Sequence, residues 1–299
     1  MSIHINVDPT NPGQFFACCG LLELADRLWG GAEGWFEEDG LHFGLRPFDP
    51  QSMADCNAAA FMDAFLRCHL TNTMTASELR RREELSTLPR AQIASDSVLK
   101  AEKDALDTLW REAPIVFHKP FVLRLDWFAD ERAGGATFKT WAGQQSVVDI
   151  ALGMKRAVDA LDWGTIPSLD WLRQRTQSDS LPFYFDSDIG NVGSDRDVGF
   201  SFDPLKIRVQ TRPLAELLAF VGLQRFRCMP MQLKNRYRYS LWFDPLSPEV
   251  AAPAACGLVQ SPRSRAFQFR LLYRTKYLKS FLPATSLKGD DHEQFVGAV

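Results

Sequence analysis

The sequence predicts an α+β fold: helices mixed with separated strands in an antiparallel sheet, ending in a C-terminal sheet with a basic face. Two observations carry this. Stretches with apolar residues at helical spacing are interspersed with short period-2 stretches. After a helical pattern that runs to Cys228, strand patterns dominate as far as Tyr277, and two of them alternate aromatic with basic residues.

Ile3 to Val7 alternates apolar and polar residues and reads as a strand. Asn11-Pro12-Gly13-Gln14 then reads as a helix start, with Asn11 as cap, Pro12 in the first turn and Gln14 at the capping-box position. The helix runs through Leu28 with only Glu23, Asp26 and Arg27 polar in its later turns, so it should be buried on most faces, and Gly30-Gly31 should end it. Trp35-Phe36 and Leu41 to Leu45 follow as short strands around an acidic turn. Ser52 to Leu70 reads as a second helix with Phe61, Phe65 and Leu66 on its core side. Thr71 to Ser97 is polar and charged, with Arg80-Arg81-Arg82 followed by Glu83-Glu84. It suits either a solvated, mobile insert or a surface helix with intrahelical ion pairs.

Val98 to Glu112 returns to helix, Phe121 to Trp127 is strand-like, and Phe138 to Trp141 suits a further strand. Gln144 to Leu161 has helical spacing through Val148, Leu152 and Val158. Asp186 to Gly199 reads as a loop, and Thr211 to Cys228 as a helix with Pro213 in its first turn. Phe16 to Leu21 and Leu218 to Leu223 echo one another. Either the echo is chance between two apolar helices, or Gly20 and Gly222 mark places where another backbone comes close. The chain divides into an α+β region over 1–200, with its insert at about 71–97, and a basic α+β region over 201–299. The two can also form one continuous domain.

With 45% hydrophobic residues in 299, the composition is that of a globular protein and excludes a disordered one. A net charge of -3 hides a strong asymmetry. Met1 to Gly40 carries seven acids and one base, whereas Lys206 to Lys279 carries fourteen bases and three acids. That points to a polyanion for the C-terminal part, and to a basic neighbouring subunit as one partner for the acidic start. Met1 to Val7 does not read as a signal peptide and no apolar run is long enough to span a bilayer, so a cytoplasmic protein without membrane contact is expected. The six cysteines make no C-x-x-C pair and read as small core residues in a reducing compartment; neither zinc nor another cofactor is expected.

The most informative segment is Arg236 to Phe243. As a strand it puts Arg236, Arg238 and Ser240 on one face, and Tyr237, Tyr239, Leu241 and Phe243 on the other. Phe267 to Lys276 likewise separates Phe267, Phe269, Leu271 and Tyr273 from Gln268, Arg270, Arg274 and Lys276. In one sheet, Arg236, Arg238, Arg270, Arg274 and Lys276 would form a cationic surface able to neutralise backbone phosphates. A second candidate is Phe138 to Ser146, where Lys139 could hold a phosphate and Gln144 and Gln145 could read base edges. The same segment also suits a helix cap beside a core tryptophan. Gly190 to Gly199 lacks the lysine of a phosphate-binding loop and contains two acids, so it is a poor nucleotide site. The five histidines fall in no catalytic motif, and no enzyme activity is expected.

Asn11 to Ala25, with Trp35-Phe36 after it, resembles the opening of CRISPR-associated proteins from type I-U (I-G) operons, whose large subunits also begin with a helix containing a Gly-Leu step and then a Trp-bearing strand. Leu217 to Arg227 and the strand from Tyr239 to Pro245 are similar to the later part of the same group. The likeness covers both ends of the chain and rests on apolar and glycine positions. It implies a large-subunit-like component of a Cascade complex acting in antiviral defence. Other Cascade subunits, guide RNA and target DNA are then the expected partners, together with a separate nuclease-helicase recruited by the complex. Two further classes stay open: a metal-independent endoribonuclease that processes guide RNA, and a protein-binding scaffold.

Overall fold

The computed structural model of the chain describes residues 2–49, 57–129, 135–141, 145–178, 181–190, 209–259, 263–274 and 277–287. The fold is α+β, built from helices and several small antiparallel sheets.

Strand β1 (Ile3–Asn6) leads into helix α1 (Pro12–Trp29), followed by β2 (Ala32–Phe36) and β3 (His42–Pro47). The three strands form an antiparallel sheet in the order β1-β3-β2. The Asn11 side chain caps α1 by accepting from the Gly13 and Gln14 N–H groups. Gln14 does not complete the expected capping box; its Oε1 accepts from the Asp8 N–H at 2.8 Å and ties the incoming chain to the helix. Gly30, at φ 72°, closes the helix in the left-handed conformation that favours glycine.

The expected helix over Ser52–Leu70 is shorter: α2 spans Ala58–Leu66, and residues 50–56 lie outside the described set. His69 and Leu70 belong instead to β4 (His69–Asn72), which pairs with β5 (Ile115–His118); β6 (Leu123–Leu125) extends that sheet. The strand wins because Leu70 alternates with exposed His69 and Thr71, a half-buried pattern that a helix would not preserve. Between β4 and β5 the charged insert folds as α3 (Ala76–Thr87), α4 (Arg90–Ser95) and α5 (Ser97–Glu112). Thr75 and Glu78 form a reciprocal capping box at the start of α3. Arg81 reaches Glu102 at 2.8 Å and Arg82 reaches Asp107 at 3.0 Å, so the ion pairs bridge α3 to α5. Arg82 also lies 4.4 Å over the Trp110 ring.

Phe138 to Trp141 is not a strand. Gly135–Phe138 is a 3₁₀ turn, and Phe138 and Trp141 are both buried in the same core. Three residues apart, they would point to opposite faces of a strand. Helix α6 (Val147–Asp159) starts later than expected, at a Ser146 cap. β7 (Thr176–Ser178) pairs with β8 (Val209–Thr211), and α7 (Ser187–Gly190) is a single turn between them. The glycine-rich stretch 191–199 lies outside the described residues. Helix α8 (Pro213–Gly222) ends six residues before Cys228, where the chain turns into β9 (Met229–Pro230). β10 (Arg236–Leu241), β11 (Arg265–Arg274) and β12 (Tyr277–Phe281) complete the order β12-β11-β10-β9, and β13 (Thr285–Ser286) pairs with β11. Helix α9 (Pro248–Ala255), between β10 and β11, has no counterpart in the sequence reading.

The core is one cluster that runs from Ile3 to Ala284, so the 1–200 and 201–299 regions share it. At its centre α1 crosses α8, and the sequence echo is the contact itself. A Cβ on Gly20 would lie 2.0 Å from the Leu218 carbonyl oxygen; one on Gly222 would lie 2.1 Å from that of Phe16. Each glycine admits the carbonyl that sits four residues before the other glycine. Chance does not produce that reciprocity.

Candidate nucleic-acid interface

β10 and β11 pair antiparallel with Arg236 opposite Arg270, Arg238 opposite Gln268 and Tyr239 opposite Phe267. The inner face is aromatic: Tyr239 stacks on Phe15 at 4.2 Å and on Phe267 at 5.6 Å, and its hydroxyl donates to the Pro9 carbonyl. Period-2 geometry then turns Arg236, Arg238, Gln268 and Arg270 outward. Two arginines in register opposite one another are a like-charge pair, an arrangement that a shared anion would relieve. Arg236 donates to Gln268 Oε1 at 3.4 Å, and exposed Arg270 has no ion pair among the described residues.

The turn from β9 to β10 adds exposed Lys234, also without an ion pair among the described residues. Asn235, at φ 61°, makes that turn, and its carbonyl accepts from the Leu271 N–H, which fixes Lys234 beside the paired arginines. Arg236 and Arg270 border two hollows. One, of about 400 Å³, is walled by Gln268, Leu282, Pro283 and Thr285; the other, of about 290 Å³, by Leu233, Lys234 and Asn235. The arginine pair is thus a cationic ridge between two depressions.

The remaining predicted residues are placed differently. Arg238 does not take the exposed place on the cationic surface that alternation assigns to it. It is half-buried, its guanidinium lies where a Cβ on Gly257 would touch it at 3.3 Å, and loss of solvent lowers its pKa. Arg274 ends β11 in register with Tyr277, while Lys276 lies outside the described residues, as does Gln144. Lys139 sits 5.8 Å over the ring of buried Trp141, and Gln145 is half-buried just ahead of the α6 cap. Phe138 packs on Tyr237 at 5.0 Å and on Phe281 at 6.0 Å, so this segment abuts the inner side of the sheet. It does not join the arginine ridge.

Part of the charge asymmetry closes within the chain: among the described residues, Arg212, Arg225 and Arg263 of the basic segment pair with carboxylates. The acidic turn after β2 meets the C-terminal region: Arg263 pairs with Glu38 and with Asp244, and Arg265 donates to the Asp39 and Glu38 carbonyls. Buried Glu23 binds Arg225 at 2.6 Å and Arg27 at 2.7 Å. Arg212 bridges Asp186 and Asp188. Of the acidic start, Glu23, Glu33 and Glu38 thus pair with this chain's own arginines. Among the described residues, Lys234, half-buried Arg236 and exposed Arg270 have no ion pair.

Two constellations have no signal in the sequence because each needs at least one member from far along the chain. At the start of α8, fully buried Glu216 accepts from the Asp186 N–H at 2.9 Å, and Asp186 in turn accepts from Asn11 and Arg212. Burial, and then the charge of Asp186, push Glu216 up to about 8. On the opposite edge of the sequence, His4 lies between the Ser2 hydroxyl at 2.6 Å and the Glu37 carboxylate at 2.9 Å. Hydroxyl, imidazole and carboxylate in line are the elements of general-base chemistry. No family model, curated protein or solved structure matches the chain. No described helix is long and apolar enough to cross a membrane.

Proposed function

We propose that this chain is a non-catalytic nucleic-acid-binding subunit of a type I CRISPR Cascade complex, working in the cytoplasm with the other Cascade subunits, guide RNA and target DNA. One observation supports binding above the others: Arg236 stands directly opposite Arg270, beside Lys234, where the chain's own acids leave them uncovered. Such a ridge contacts phosphate and adds affinity without reading sequence. The Cascade assignment draws on the type I-U resemblance of Asn11–Ala25 and Leu217–Arg227. Recruitment of a separate nuclease-helicase belongs to the same assignment.

The test is the salt dependence of binding to single- and double-stranded oligonucleotides. Arg236→Ala with Arg270→Ala should weaken all sequences about equally and flatten the log–log salt slope by roughly two. An unchanged slope in a folded double variant removes the ridge from the mechanism. Co-purification with neighbouring operon proteins, with sequencing of bound RNA, tests the complex; absence of both guide RNA and partner subunits refutes it.

The Ser2–His4–Glu37 line favours one second reading, a metal-independent endoribonuclease with His4 as base. On the reading preferred here, the purified chain leaves CRISPR repeat RNA intact with or without divalent metal. Site-specific cleavage that disappears in His4→Ala would replace binding with catalysis.

A further inference from the structure

We propose that the hollow at the C-terminal end of α2 is a mononucleotide site, separate from the arginine ridge, which takes a nucleoside 5′-phosphate. Its walls are Leu66, Arg67, His69, Lys119 and Pro120, around about 500 Å³, a size suited to one small ligand. Three different elements build it. α2 delivers Leu66 and, as its cap, Arg67. β4 begins with His69, in register opposite His118 on β5. Lys119 follows β5 at φ 49°, a left-handed conformation that turns the chain toward Pro120.

The chemistry of this hollow is divided. Arg67, His69 and Lys119 are exposed, and none has an ion pair among the described residues. Leu66 and Pro120 supply apolar wall. A helix C-terminus would ordinarily repel an anion, because its last carbonyls are unsatisfied and partly negative. Here buried Lys155 on α6 answers that: its ammonium donates to the Leu66 carbonyl at 3.1 Å. The same ammonium binds Asp159, which occupies that nearby carboxylate.

An inorganic anion would leave the apolar wall wet, and an apolar ligand would leave the two cations, Arg67 and Lys119, without partners. A nucleoside phosphate satisfies both parts. Its phosphate meets Arg67 and Lys119, and its base lies along Leu66 and Pro120 with the His69 imidazole as a flat neighbour. The same chemistry could arrive as a free nucleotide or as the 5′-phosphorylated end of a strand.

Calorimetric titration of the full-length protein with AMP, adenosine and inorganic phosphate tests the site. AMP should bind at least tenfold more tightly than either fragment. Arg67→Gln and Lys119→Asn should each weaken AMP by about tenfold or more, the size expected for one charged hydrogen bond. Asparagine is chosen because it tolerates the left-handed backbone at position 119. Arg270→Ala should leave AMP binding unchanged, so failure of the ridge and failure of this site can be told apart. A 5′-phosphorylated oligonucleotide that binds Arg67-dependently, and tenfold tighter than AMP, would identify a strand end as the source; weaker binding would identify free nucleotide. The proposal is overturned if AMP binds no better than phosphate, or if AMP binding survives both substitutions in variants whose thermal unfolding matches the parent.

Discussion

Gly20→Ala is the sharpest test of how the two ends of the chain are joined. In an isolated helix the change would stabilise by about 1 kcal/mol. Here the new methyl would sit 2.0 Å from the Leu218 carbonyl oxygen, a backbone atom of a fully buried helix that cannot swing aside. Ordinary contact requires more than 3 Å, so the helices must separate by roughly an ångström at their crossing, and a gap of that size forfeits a quarter to a half of each contact's dispersion energy. Overpacking of this kind costs about 1–3 kcal/mol, and separation also loosens Gly222 against Phe16. With a backbone clash this close, the upper part of that range applies, and set against the helix gain it leaves a net loss of about 1–2 kcal/mol, read as a lower urea midpoint with the slope kept. Gly20→Ala with Gly222→Ala should cost less than the sum, because one displacement relieves both clashes. A Gly20→Ala protein as stable as the parent would refute a crossing set by backbone contact.

Two further outcomes follow from the polar cluster at the start of α8. Glu216 has its pKa raised from 4.5 to about 8, so folding keeps it protonated where the unfolded chain would ionise it. Its contribution to stability is fully present below the lower value and is lost as pH rises through the higher one. Denaturation midpoints of Glu216→Gln should therefore fall less than those of the parent across that window, and equal pH profiles would contradict the burial argument. Asn11→Ala removes acceptor contacts to the Gly13, Gln14 and Ser187 N–H groups and a donor to Asp186, all buried. It should destabilise by about 2–4 kcal/mol in chemical denaturation, and a loss under 1 kcal/mol would show that the network is not structural.

What could be read from sequence was what local chemistry decides. Asn11-Pro12 and Gly30 bracket α1 through caps that need no distant partner. Alternation in Arg236–Phe243 and Phe267–Lys276 separates the arginines from the aromatics, and β10 and β11 pair as that alternation requires, with Arg236 opposite Arg270 and Tyr239 opposite Phe267. The failures share a cause. β4 looks helical until β5, more than forty residues away, gives it a partner. α9 is a proline- and alanine-rich stretch whose buried face exists only because β2 and β10 lie beneath it. Which arginines remain uncovered depended on Glu38 finding Arg263 and Glu23 finding Arg225, ion pairs that no window along the chain contains.

The glycine crossing also bears on how the chain is made. α1 is buried along almost its whole length, and β2 and β3 cover only part of it. Much of the rest waits for α8, whose last residue is synthesised roughly 190 positions later, on the order of ten to forty seconds at ordinary translation rates, and Phe15 waits longer still for Tyr239. During that interval a helix holding Phe15, Phe16, Leu21 and Leu22 presents an apolar side to the cell. A chain truncated before Pro213 would therefore lack the main cover of α1 and leave its apolar side exposed.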